Sequence, residues 1–81
     1  MSDTMERVKK VTAELLKIDA GSISETSRFV EDLGAESVQS IELVAAFEEE
    51  FEVEMDEDAA LSVKNVGDAA RFIDEALAQQ S

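Results

Sequence analysis

Apolar residues in this chain recur at helical intervals and nowhere alternate over the length of a strand, which restricts the fold to packed helices. Across residues 3–17, Met5, Val8, Val11 and Leu15 mark one face of a first helix, with Arg7, Lys9, Lys10 and Glu14 among its polar positions. A second helical run extends over residues 37–51 without Gly or Pro. Gly34 ahead of it suits the positive φ of a sharp turn before a helix start. Residues 57–63 read as one or two turns. Asn65, with Asp68 three residues on, resembles a capping signal for a last helix whose inner face is Val66, Ala69, Ala70, Ile73 and Leu77. Between the first two helices the pattern breaks at Ala20, Gly21, Ser22 and residues 24–27, leaving Ile23, Phe29, Val30 and Leu33 as apolar anchors in a long connection. Connections of that length in small domains are usually functional. The expected fold is all-α: an irregular four-helix bundle, three helices long and one short, with a long loop between helices one and two.

A chain of 81 residues makes one domain, 1–81, with one modest core, because a chain this short buries only about 60% of the surface it exposes when unfolded. The residue types present limit its chemistry. Cys, His, Trp, Tyr and Pro are all absent, so the polypeptide lacks a nucleophilic thiol, a side chain that titrates naturally near neutrality and the better metal ligands. Carboxylates are abundant, but acid–base catalysis needs environments that push their pKa values apart, and a solvated acidic helix offers none. No catalytic residue and no metal site are therefore expected. Asp56, Glu57 and Asp58 lack the Gly and the spacing of a calcium-binding loop.

The second helix carries two apolar stripes. At about 100° per residue, Leu43, Val44, Phe47 and Phe51 share one sector, the core stripe. Val38, Ile41 and Ala45 fall in another, centred roughly 140° away, which a helix with a single buried face does not need. Glu36 heads this second stripe, Glu42 and Glu49 lie along one flank and Glu48 along the other, giving an apolar ridge in an acidic frame. Such a ridge suits docking, with burial contributing affinity and carboxylates steering basic partners. The plainer reading is a bundle helix packed on two sides.

Charge points the same way. Lys and Arg number 7 against 20 acidic residues, for a net charge of −13, which argues against nucleic acid and against insertion into anionic membranes. Between residues 29 and 58 stand twelve carboxylates and no Lys or Arg. One-sided charge opposes the compact state, so it calls for a reason such as electrostatic recognition or solubility. Met1, Ser2 and Asp3 begin no apolar run resembling a signal peptide, so the expected location is cytoplasmic.

The stretch FVEDLGAESVQSIELV, residues 29–44, resembles the acyl carrier protein signature, in which Asp-Ser-Leu follows a Leu-Gly turn and opens the second helix. RVKK from Arg7, EEEF from Glu48 and the spacing to VGDAARFI from Val66 are similar to the bacterial fatty acid synthesis type over essentially the whole chain. The resemblance implies that Ser37 bears covalent 4′-phosphopantetheine, attached by a phosphopantetheinyl transferase, and that the arm supplies the sulfur the chain lacks. It also implies that synthases, reductases and acyltransferases with basic docking patches receive the acyl thioesters from a monomeric carrier, and that the acyl chain folds back into the bundle. Ala46, Ala59 and Ala60 would leave room there, though three alanines are equally ordinary packing in helices. Read alone, a Ser at a helix start is usually an N-cap. Ser40, one turn on, falls near the core stripe and makes a poor attachment point. Four positions depart from the family pattern: Glu36 for Asp, Val38 for Leu, Ala45 for a larger apolar residue, and Asp56 for a proline, which would loosen the short third helix. These changes suggest a specialised carrier. Two alternatives remain: an unmodified acidic adaptor working through the Val38, Ile41 and Ala45 face, and a carrier for amino or aryl acids.

Overall fold

A computed structural model describes residues 3–80. Met1 and Ser2, where the expectation about a leader begins, lie outside the described residues, as does Ser81. The chain forms α1 (Thr4–Leu16), a single 3-10 turn (Ala20–Ser22), α2 (Ser37–Phe51), α3 (Glu57–Leu61) and α4 (Val66–Gln80), with no strand among the described residues. This is the expected all-α bundle with one short helix. α1 packs against both α2 and α4.

The buried face of α1 is Thr4, Val8, Thr12 and Ala13, whereas Met5, Val11 and Leu15 flank the core half-buried. Helical spacing finds the right side of the helix but not its deepest line. Contact with two neighbouring helices centres that line on the i, i+4, i+8 series through Val8, which includes two threonines. Thr4 donates its hydroxyl to Asp74 at 2.6 Å, while the Thr12 hydroxyl is buried without a partner. On α4, Val66, Ala69, Ala70 and Ile73 are buried as their spacing requires, and Leu77 packs against them half-buried. Arg7 clamps α1 to the end of α2, pairing with Glu50 at 2.9 Å, donating to the Glu50 carbonyl at 2.8 Å and lying 4.3 Å over the Phe51 ring.

Helix ends follow local chemistry. Asn65 Oδ1 accepts from the Asp68 N–H at 2.8 Å, the cap the sequence signals. Asp56 Oδ1 accepts from the Asp58 N–H at 3.1 Å, so the residue that replaces the expected proline caps α3. Both α1 and α2 end on left-handed residues that are not glycine, Lys17 (φ 60°) and Glu52 (φ 53°).

The long loop is strapped to the start of α4 through main-chain atoms. Phe29 N–H donates to Lys64 O at 3.0 Å, Val66 N–H to Ser27 O at 3.0 Å and Gly67 N–H to Glu25 O at 2.8 Å. Two of these acceptors satisfy amides that a helix start leaves without intrahelical partners. Gly67 permits the approach, since a Cβ there would stand 2.8 Å from Glu25 Cγ and 3.0 Å from its carbonyl oxygen. Of the loop's expected anchors, Ile23 and Phe29 are buried and Leu33 is half-buried, but Val30 is 58% exposed. Val30 is thus not an inward anchor. Residues 29–33 form a turn with Asp32 and Leu33 both donating to Arg28 O at 3.0 Å, and one side chain of such a turn is left facing out.

Candidate functional site

Gly34 takes φ +76°, and Ala35 N–H closes back onto Phe29 O at 2.9 Å. This turn delivers the chain into α2 with Glu36, at φ −87° and ψ 167°, in the N-cap position and Ser37 as the first helical residue. Gln39 then reaches back, its Oε1 accepting from the Glu36 N–H at 2.9 Å, one arm of a capping box. Capping therefore falls to residues 36 and 39, and Ser37 is not the cap. Its hydroxyl is exposed and without a hydrogen bond among the described residues. Thr4, the other hydroxyl at a first helical position, is buried and bonded.

The backbone at Ser37 favours an anion, although the Glu36 carboxylate stands beside it at the N-cap. Amides of the first turn of a helix point outward with the positive end of the dipole, which suits a phosphate ester. The first turn of α2 contains no acidic residue. Ser40 behaves otherwise: its hydroxyl leans toward the Glu36 carbonyl at 3.4 Å, and its side chain lines an interior cavity.

The two stripes of α2 separate as spaced. Leu43, Val44, Phe47 and Phe51 are buried, while Val38 (58%), Ile41 (49%) and Ala45 are exposed. Glu36, Glu42 and Glu49 stand exposed around the outer stripe. Glu48 is half-buried and accepts the Met55 N–H at 2.8 Å, so one of its oxygens holds the connection between α2 and α3. At the other end of the strip, Arg28 pairs with Glu31 at 2.9 Å and Asp32 at 3.2 Å. The Asp32 carboxyl is held below its usual range by the hydrogen bond from the Arg28 guanidinium, and Arg28 is raised above its own by the same bond and charge. No group of three or more metal-ligating side chains comes together among the described residues.

Behind α2 lies a cavity of about 260 Å³ between α2, α3, α4 and the loop, walled by residues that include Phe29, Leu43, Val44, Phe47, Ala60 and Ile73. The Phe29 and Phe47 rings meet at 6.4 Å and 52°. Of the three alanines expected to leave room, only Ala60 lines this space; Ala46 and Ala59 do not. Ala46 sits between the two stripes of α2, and neighbours on α3 point different ways, so small size alone did not place them. The exposed members of the lining are Val30, Glu31 and Lys64.

No helix among the described residues is long and apolar enough to cross a membrane. A family model described as the phosphopantetheine attachment site matches residues 6–73, from the first turn of α1 to the middle of α4. The chain belongs to this phosphopantetheine attachment family as a carrier domain of the acyl carrier protein type, with 4′-phosphopantetheine as its covalent group.

Proposed function

We propose that Ser37 is the attachment serine and that the chain carries acyl intermediates of fatty acid or related lipid and polyketide synthesis. The observation that carries this reading is the free, exposed hydroxyl of Ser37 at a helix start whose cap is provided by Glu36 and Gln39. A hydroxyl that owes nothing to the helix can be esterified without unravelling it. When bound, the phosphopantetheine arm supplies the thiol that forms the acyl thioester. The chain's own residues would do the rest: the first-turn amides of α2 would hold the phosphodiester, and the largely apolar cavity walls would take an aliphatic tail. Glu36, Val38, Ile41, Glu42, Ala45 and Glu49, with the free oxygen of Glu48, present the docking face.

The partners on this reading are a phosphopantetheinyl transferase and then synthases, reductases and acyltransferases bearing basic patches. The protein is a monomeric cytoplasmic carrier, not an enzyme. The cavity wall is mostly aliphatic and phenyl, and its carboxylate, Glu31, is exposed and paired with Arg28, so an ammonium group would find little beyond the half-buried Ser40 hydroxyl as a partner. That favours fatty acyl over amino acyl cargo. Intact mass spectrometry after incubation with coenzyme A and a phosphopantetheinyl transferase tests the assignment. The native chain gains the mass of one arm and Ser37→Ala gains none. An arm that persists in Ser37→Ala sinks the residue assignment, and a native chain that never gains one leaves an unmodified adaptor.

A further inference from the structure

Three large apolar side chains stand exposed among the described residues: Val30, Val38 and Ile41. The last two belong to the outer stripe of α2. Val30 does not, and as a loop residue 58% exposed it gives up burial that an apolar side chain would otherwise gain. We propose that Val30 is a third docking point, contacted together with Val38 and Ile41 by the cation-bearing enzyme that loads Ser37. This inference rests on the reading of Ser37 as the attachment serine.

Chain geometry places Val30 within reach. It is one residue from Phe29, whose carbonyl holds the Ala35 N–H at 2.9 Å, and Ala35 is two residues from Ser37. Val30 and Ser37 therefore lie no more than about 17 Å apart at Cα. An enzyme that transfers a group onto Ser37 Oγ must align with that oxygen itself, so its footprint centres there. A standard interface of about 800 Å² per partner spans on the order of 30 Å, about 15 Å to either side of Ser37, which takes in Ile41 and reaches Val30 unless the intervening chain is at its full extension. Enzymes that meet only the far end of a long arm carry no such obligation.

Charge identifies the occupant. Residues 29–58 hold no Lys or Arg, and the cation just before them, Arg28, is taken up by Glu31 and Asp32. Lys64, the single cation on the cavity wall, does not offset twelve carboxylates. A partner covering this face thus presents apolar side chains rimmed by Lys or Arg.

Loading kinetics of the apo chain make the test, because no acyl group then occupies the cavity that Val30 also lines. With a phosphopantetheinyl transferase and coenzyme A, Val30→Ser raises the KM for the carrier roughly tenfold, a loss comparable to Val38→Ser, while kcat stays within about twofold. The thermal midpoint of Val30→Ser stays at that of the native chain. Val30→Thr, which keeps the branched shape and adds a hydroxyl, gives the same reading should the serine variant fail to fold. An unchanged KM in the Val30 variants beside a raised KM in Val38→Ser overturns the docking role and leaves Val30 to the cavity alone. A native chain that takes up no arm overturns the carrier reading instead, and this proposal with it.

Discussion

Thr12 is the residue whose environment most contradicts its chemistry. It is fully buried in α1 with no hydrogen-bond partner for its hydroxyl, and an unsatisfied buried polar group costs about 1–3 kcal/mol. Thr12→Val, of nearly the same shape and helix propensity, is expected to stabilise the fold by about 1 kcal/mol. The urea midpoint would rise at unchanged slope, with the loading rate at Ser37 unaltered. A lower midpoint would mean that the hydroxyl bonds within its own helix. Sequence could not flag this position, because a polar residue simply breaks an apolar pattern. Ser37 is the opposite case. Its place at a helix start follows from Gly34 and the run behind it, but its freedom does not, since that depends on Gln39 reaching back to Glu36 at 2.9 Å.

Among the elements, α2 was the most legible, because both of its stripes follow from a fixed rotation per residue. The Asn65 cap of α4 was legible for the same reason, being chemistry three residues apart. The cavity was not. Its walls come from the loop, α2, α3 and α4, and nothing in the spacing of any one element tells which alanine of three will face it. The outward turn of Val30 was likewise set by the hydrogen bonds of Arg28 O rather than by hydropathy. The end of α1 offers a clean test of local strain. Lys17 sits at φ 60°, a conformation that costs a residue with a Cβ roughly 1–2 kcal/mol and a glycine almost nothing. Comparing Lys17→Gly with Lys17→Ala removes the charge from both and isolates the backbone. Chemical denaturation is expected to find the glycine variant more stable by about 1 kcal/mol. Equal stabilities would show that the strain is relieved elsewhere.

For the molecule as a whole, charge and shape combine into a prediction with two opposite signs. A net charge of −13 is packed into a body measuring 33 × 28 × 19 Å. In about 10 mM salt the screening length is about 30 Å, so all carboxylates repel one another, whereas at about 150 mM it is about 8 Å. Thermal melting is expected to shift upward by several degrees over that range, as self-repulsion is screened. The KM for loading is expected to rise over the same range, as attraction to a basic partner is screened too. A melting point indifferent to salt would remove repulsion from the account, and an indifferent KM would remove steering. Scale also separates what this fold must keep from what it can exchange. The loop that closes the cavity is fastened by the 25–67, 27–66 and 29–64 bonds, all between main-chain atoms, which any residue but proline can supply at the donor. Glu25 and Arg28 can therefore change their side chains while these bonds stay made, whereas Gly67 is pinned by the approach it allows. On the proposed reading of Ser37 and Val30, a lineage of such carriers would change its clientele by rewriting one loop's outer surface while the main-chain bonds that hold the loop stay as inherited.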